Sequence, residues 1–291
     1  MPCTAGFLKE FFIESDTIVM NETAITDALI DCTLQLADDS LIMGHRCSEW
    51  CGHGPVLEQD IALTNIALDY VGQSRNLYQY AALLLEQLPK EKALSLVDFD
   101  IIPEYITEDS LAYLRDVGAF KNHLLFEQPN SDWAQTILKI FFFSVYRFYL
   151  FQQLQNNADE RLAAIAEKSI KEVTYHLKWS SEWVIRLGDG TDESKFRMLQ
   201  AIDALWPFVG ELFEPAGYET LCYHSNMLTF ERLRSDWLNK INQIFETATL
   251  PPQSIGCWHQ TGGKNGYHSE HLGYILAEMQ FLQRTFPNAI W

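Results

Sequence analysis

The chain has 291 residues, of which 47% are hydrophobic and 21% charged, and its formal net charge is −18. This composition is typical of a folded globular protein and excludes extensive disorder. The excess of acidic residues argues against nucleic acid as a main partner, because nucleic-acid binding needs clustered lysine and arginine.

Apolar residues recur at helical spacing along nearly the whole chain, which predicts an all-α protein. The first helix is predicted over 22–50 and the second over 56–88, with Pro55 well suited to the first turn of the second helix. The apolar stripe of the second helix is predicted to contain Leu57, Ile61, Leu63, Ile66, Ala67, Tyr70, Leu77, Ala81 and Leu84.

The next two helices are predicted over 132–155 and 159–187. The first of them opens at the polar cluster 130–132 and is apolar almost all round, a pattern typical of a helix buried on several sides. Gly188 is a typical helix-terminating residue for the second. The segment 89–129, with one short helix near 107–116, separates the two predicted hairpins, and such a long connection suits the crossover of a ferritin-like four-helix bundle.

Three further helices are predicted near 191–206, 235–247 and 268–285, and a loop rich in proline and glycine, 251–266, precedes the last. The sequence shows no internal repeat and no sharp domain boundary. We therefore predict a single ferritin-like domain over 1–291, a four-helix bundle with additional C-terminal helices.

No membrane-spanning or secretory segment is predicted. The start of the chain lacks a basic stretch followed by a long apolar core. The most apolar run, 137–151, is shorter than the ~20 residues that span a bilayer and contains Lys139 and Arg147. Six cysteines without a CxxC pair indicate free thiols in a reducing compartment. We expect a soluble protein of the cytoplasm.

A di-iron site in such a bundle needs a carboxylate from each of two helices and a Glu-x-x-His pair from each of the others. None of the eight histidines has Glu or Asp three residues before it. On the fourth helix the residue three before His176 is Val173, an apolar side chain on the same face. The residues therefore predict that this chain binds neither a metal nor another cofactor.

Several polar residues remain open to two interpretations. His176 is either a hydrogen-bonded core residue, which we favour, or a functional one. Glu49 is either structural or a remaining ligand. The segment from His268 to His271 is either a polar helix start or part of a metal cluster. Cys47, one turn from Cys51, is interpreted as a core residue.

Six segments resemble one known family: 41–53 (LIMGHRCSEWCGH), 58–69 (EQDIALTNIALD), 127–130 (EQPN), 171–176 (KEVTYH), 186–190 (RLGDG) and 268–280 (HSEHLGYILAEMQ). Together they are similar to the PaaC family, the second large subunits of multicomponent phenylacetyl-CoA 1,2-epoxidases. The resemblance extends from about residue 30 to the end of the chain.

This resemblance implies a ferritin-like fold, a complex with the homologous di-iron catalytic subunit PaaA, and a role in aerobic phenylacetate breakdown. It also implies a hetero-oligomer and leaves self-association open. A non-catalytic structural subunit is the favoured function. The alternatives are a free-standing ferritin-like protein and an oxidoreductase whose atypical metal site uses His176, Glu49 and the segment from His268 to His271.

The resemblance also carries the ligand positions of the catalytic subunit onto this sequence. They fall on Glu49, Tyr70, Gln73, Ser144, Val173 and His176. Only Glu49 and His176 keep a ligand residue, so these are degenerate di-iron positions. We expect Tyr70, Gln73, Ser144 and His176 to lie together in the bundle interior with Glu49 close by, and to satisfy one another's hydrogen bonds.

Overall fold

The structure, a computed structural model, describes residues 22–223, 229–256, 258–286 and 289. Apart from one isolated bridge between Phe99 and Arg115, the regular structure in these residues is helical, which confirms the all-α prediction. Their α-helices are α1 (Glu22–Ser48), α2 (Leu57–Glu86), α3 (Lys90–Val97), α4 (Glu108–Tyr113), α5 (Leu124–Glu127), α6 (Trp133–Leu154), α7 (Glu160–Gly188), α8 (Asp192–Leu205), α9 (Gly217–Tyr223), α10 (Phe230–Thr247), α11 (Glu270–Met279) and α12 (Phe281–Thr285).

Helices α1, α2, α6 and α7 form the predicted ferritin-like bundle. In the first hairpin Gly44 lies against Val71, and the Tyr78 hydroxyl donates to Asp38 at 2.5 Å, so the two helices run antiparallel. In the second, Trp133 at the start of α6 packs on Trp183 near the end of α7, with ring centroids 5.4 Å apart. Each of the four helices begins and ends within two residues of its predicted boundary.

Side-chain caps explain where α6 and α7, the two helices of the second hairpin, begin. The Asp132 carboxylate accepts a hydrogen bond from the Gln135 amide at 2.9 Å, and Asp159 accepts one from Leu162 at 2.8 Å. Each bond satisfies an amide that has no partner within its own helix. Helix α6 is buried on nearly every side, as its apolar sequence predicts.

The crossover and the C-terminal region depart from prediction. The crossover contains α3 and α5 besides the predicted short helix, α9 was not predicted, and α10 begins at Phe230 rather than at 235. The last predicted helix is two helices that meet at Gln280. The Gln280 side chain holds this junction, because its amide donates to the carbonyls of Ala112 and Arg115 at 3.1 and 2.9 Å.

The predicted stripe of α2 is wrong at its N-terminal end. Leu63, Ile66, Ala67, Tyr70, Leu77, Ala81 and Leu84 are buried, whereas Leu57 and Ile61 are 70% and 54% exposed. The two exposed residues lie on the face of α2 that points away from α1 and α7. Apolar residues therefore occupy both the inner and the outer face of this helix, and periodicity alone does not separate the two faces.

Helix α1 lies at the centre of the molecule, packed against α2, α5 and α9. Every residue from 32 to 44 is buried. None of the helices in the described part of the chain is both long and apolar enough to cross a bilayer.

Candidate functional site

A group of polar side chains lies inside the bundle where α2, α6 and α7 face one another. Tyr70, Ser144 and His176 are fully buried. The Ser144 hydroxyl donates to the Ile140 carbonyl at 2.7 Å, so the Tyr70 hydroxyl is the donor in the 3.4 Å bond between Tyr70 and Ser144. Burial raises the pKa of Tyr70, which keeps the phenol neutral.

His176 connects this group to the edge of the bundle. Its ring meets Tyr70 edge-on, with centroids 4.8 Å apart, and its Nε2 lies 2.9 Å from a carboxylate oxygen of Asp69. Because a carboxylate accepts, Nε2 carries the proton of this bond. Nδ1 is buried and has no hydrogen-bond partner among the residues that the structure describes. The geometry is that of a hydrogen-bonded core histidine that links α7 to α2.

Gln73 and Val173 lie beside this group without joining its hydrogen bonds. The Gln73 amide donates to Glu172 at 2.8 Å, so it forms a second link between α2 and α7. Val173, the next residue, is fully buried and apolar. The structure thus brings Tyr70, Ser144 and His176 together, whereas Gln73 finds its partner elsewhere.

Glu49 belongs to a different group at the C-terminal end of α1. Both of its carboxylate oxygens lie 2.8 Å from Arg46, and one accepts from the Asn130 amide at 3.2 Å. These residues, with Trp50 and His53, line an open cavity of about 490 Å³. Glu49 is therefore satisfied by neighbours that the sequence did not associate with it.

The residues at the six predicted ligand positions do not fit a di-iron centre. An amide, an aliphatic side chain, a phenol and a hydroxyl occupy four of them, and a carboxylate-rich donor set is what two irons require. The carboxylate that remains, Glu49, is engaged by Arg46. Across the described residues, no three His, Cys, Asp or Glu side chains converge in a group that could hold a metal ion.

The segment from His268 to His271 contributes to another buried group, which joins the start of α11 to the crossover. His268 Nδ1 lies 2.8 Å from Glu127, and Nε2 lies 2.9 Å from the Phe120 carbonyl. Because both partners only accept, the two hydrogen bonds form together when the His268 ring is protonated and both of its nitrogens donate. Burial lowers the pKa of His268, but Glu127 and the Phe120 carbonyl raise it by more, so its pKa lies above the usual value.

Sequence reasoning missed a set of buried charges that surrounds α1. Asp38 forms a fully buried ion pair with Arg115 of the crossover and also accepts from Tyr78. Its neighbour Asp39 lies 3.0 Å from His123 Nδ1 and 3.5 Å from Arg147. The available signal was the pair of adjacent acids between the apolar residues Leu36 and Leu41 of α1, since carboxylates are buried only with partners.

Lys139 is a buried amine on α6. Its Nζ donates to the Gln128 carbonyl at 2.5 Å, and none of the carboxylates in the described ranges forms an ion pair with it. Burial, together with the nearby charge of Arg46, lowers its pKa to about 7. The ammonium group is therefore close to losing its proton at neutral pH.

Comparison with known proteins connects this architecture to one family. The family model described as phenylacetic acid catabolic protein matches residues 14–291. The chain belongs to this family. One component of the 1,2-phenylacetyl-CoA epoxidase of Escherichia coli (strain K12), the subunit designated C, is 42% identical to it over 261 residues, which cover 89% of this chain and 97% of the relative. The predicted resemblance to the PaaC family is thereby confirmed. In this member of the phenylacetic acid catabolic proteins, Val173 and Gln73 belong to the core.

Proposed function

We propose that this chain is the non-catalytic structural subunit of a phenylacetyl-CoA epoxidase complex. In that complex it binds and stabilises the di-iron catalytic subunit PaaA during aerobic phenylacetate catabolism. The similarity to the E. coli epoxidase component along 89% of this chain supports the assignment to the complex.

The observation that carries the non-catalytic role is the composition of the bundle interior. Val173 is fully buried at a position where a metal carboxylate is required, and Gln73 pairs with Glu172 rather than with the interior group. Tyr70 donates to Ser144, so the neutral phenol has its own partner. Oxygen activation therefore belongs to the partner, which holds the di-iron centre, and this chain supplies packing and hydrogen bonding.

The proposal also includes a hetero-oligomer as the working form and the cytoplasm as its compartment. In the part of the chain that the structure describes, Cys32, Cys47 and Cys51 form no disulfide, which agrees with a reducing environment.

Iron analysis of the isolated chain tests the non-catalytic role. After anaerobic loading with ferrous iron and desalting, we expect far less than one iron per chain, while the catalytic subunit treated in parallel retains its metal. Two irons bound stoichiometrically to this chain would overturn the proposal.

Reconstitution tests the role in the complex. Omitting this chain from a mixture of the remaining epoxidase components should abolish the epoxidation of phenylacetyl-CoA, and adding it back metal-free should restore turnover. Full turnover without the chain would contradict the proposal. So would turnover that is restored by the iron-loaded chain but not by the metal-free chain.

A further inference from the structure

Besides the cavity at Glu49, a cavity of about 280 Å³ lies between the C-terminal end of α8 and the loop 251–266; it is here named the α8 pocket. Two indole side chains line it, Trp206 and Trp258. Of the described residues that line the pocket, Asp203 alone is acidic. A cavity of this size admits one small chemical group rather than a nucleotide or a lipid chain.

The loop that forms one wall of the pocket is held by hydrogen bonds. The Asn242 side chain donates to the Gln253 carbonyl at 3.0 Å and accepts from the Gln253 amide at 2.8 Å. The indole of Trp206 donates to the Ser254 carbonyl at 3.1 Å. Because these bonds tie the loop to α8 and α10, the wall is formed before a ligand arrives, which lowers the entropic cost of binding.

His259 also lines the pocket, but its ring is already engaged. It lies against the backbone of Gly210, where a Cβ would come within 2.2 to 2.4 Å of three ring atoms. Its Nε2 lies 2.9 Å from a carboxylate oxygen of Glu214. Gly210 thus fixes the position of the ring and Glu214 pairs with it, so Asp203 is the charged group of the pocket that is left to meet a ligand.

The two indoles differ in how they are held. Trp206 packs on Phe142 and Trp237 of the core, with ring centroids 5.8 and 5.9 Å away. Trp258 is 73% exposed, although the loop around it is fixed. An indole is the aromatic side chain that attracts an organic cation most strongly, because the face of its ring is electron-rich.

The electrostatic field of the pocket is set by Asp203. This residue lies in the last turn of α8, which contains no basic residue. The C-terminal end of a helix carries a partial negative charge, so a carboxylate there is unfavourable for the helix itself. Arg234 donates to the Ile255 carbonyl at 2.9 Å behind the loop, but it is not among the residues that line the pocket. The lining therefore repels anions and attracts cations.

From these observations we propose that the α8 pocket binds an alkylammonium group, which lies against Trp258 and pairs with Asp203. A metal ion is a poor occupant, because calcium and magnesium take about six or more oxygen ligands and the pocket offers one carboxylate. The ammonium group belongs either to a free amine or to a lysine side chain of another protein. This proposal is independent of the role in the epoxidase complex.

Fluorine NMR of the full chain labelled with fluorotryptophan tests the pocket directly. The signal of Trp258 is assigned by its loss in Trp258→Phe. Butylammonium chloride should shift this signal in a saturable manner, whereas sodium chloride of equal ionic strength and the neutral isostere butanol should not. The proposal is wrong if butylammonium gives no saturable shift, or if butanol gives the same shift.

Asp203→Asn provides the second arm. It should weaken butylammonium binding by roughly threefold or more, because the cation loses its counter-charge. It should leave the melting temperature unchanged or slightly raised, because a carboxylate is removed from a helix C-terminus. Asp189→Asn is the matched control, since Asp189 is an exposed acid at the C-terminal cap of α7, and it should bind like the wild type. Unchanged binding by Asp203→Asn would overturn the proposal.

Blocked lysine distinguishes the two sources of the ammonium group. If acetyl-lysine methylamide binds as tightly as butylammonium, the pocket accepts a lysine side chain presented by another protein. If butylammonium alone binds, the ligand is a free amine. The side-chain-acetylated form of the blocked lysine is neutral and should not bind, and equal binding of this form would refute recognition of a cation.

Discussion

At the residue scale, hydrogen bonds within the chain hold the polar side chains of the bundle interior. Each has acquired a partner of its own: Tyr70 donates to Ser144, His176 bonds Asp69, and Gln73 bonds Glu172. An unsatisfied buried group costs about 1 to 3 kcal/mol, so these pairs contribute to the stability of the fold.

His176→Ala tests that interpretation. The change removes a fully buried ring that packs on Tyr70, and it should lower the unfolding free energy by about 2 to 4 kcal/mol in urea titrations. Turnover per assembled epoxidase complex should stay near normal. Tyr175→Ala, at a 49% exposed neighbour, serves as the control with little effect on stability. A folded, assembled His176→Ala complex without epoxidation would show a catalytic role instead.

Lys139 gives a pH-dependent prediction at the same scale. Its pKa is lowered to about 7 in the folded chain, so the unfolded chain holds the proton more tightly. The penalty for burying the ammonium group is complete below about pH 7 and is relieved as pH rises toward the ordinary lysine pKa of about 10.4. Relative to Lys139→Met, the wild type should gain stability over this range by at most about 1.4 kcal/mol per pH unit. The prediction is wrong if the difference in urea-unfolding free energy between the wild type and Lys139→Met does not change with pH.

At the scale of elements, α11 is attached to the crossover through the imidazolium of His268. Glu127 accepts from His268 and also from the Ser269 amide, at 2.8 and 2.6 Å, so one carboxylate joins the start of α11 to the end of α5. This arrangement depends on the proton of His268, because the neutral ring has one donor for two acceptors.

The attachment should weaken with rising pH. The pKa of His268 is raised in the folded chain, so its contribution is fully present below about pH 6.5, the unfolded value, and is lost as pH passes through the raised pKa. Hydrogen exchange of α11 amides should accelerate over that interval, and His268→Gln should remove the pH dependence. His271→Gln is the control. Exchange that slows with rising pH, after correction for intrinsic rates, would contradict the assignment.

At the scale of the whole molecule, buried ion pairs join the crossover to the central helix α1. Arg115 is fully buried and pairs with Asp38, and the Lys121 amide donates to the same carboxylate at 2.8 Å. Removing one partner of such a pair leaves an uncompensated buried charge, which usually costs about 3 to 5 kcal/mol.

Asp38→Ala should therefore lower the unfolding free energy by about 3 to 5 kcal/mol, whereas the double variant Asp38→Leu, Arg115→Met should lose less. Glu193→Ala breaks the exposed pair with Arg197 and should change stability by about 0.5 kcal/mol or less. Calorimetric or urea unfolding of the four proteins decides the matter. If Asp38→Ala is as stable as the double variant, the buried ion pair does not hold the crossover to α1.

The sequence by itself determined the four bundle helices, their boundaries and the crossover between Pro89 and Pro129. These features could be predicted because each depends on a signal that acts within a few residues along the chain. The signals are the apolar periodicity, the capping residues such as Asp132 and Asp159, and the helix-terminating Gly188. The absence of Glu-x-x-His pairs could also be seen in the sequence, because the two residues of such a pair are only three positions apart on one helix face.

Only the tertiary structure decided which polar residues meet. Asp69 with His176, Glu49 with Arg46 and Asp38 with Arg115 are pairings set by how helices and crossover pack, and no local pattern encodes them. The same holds for the outer face of α2, where Leu57 and Ile61 continue the helical spacing of the core but face outward. Helical periodicity records which side chains share a face, and packing decides whether that face is buried or exposed.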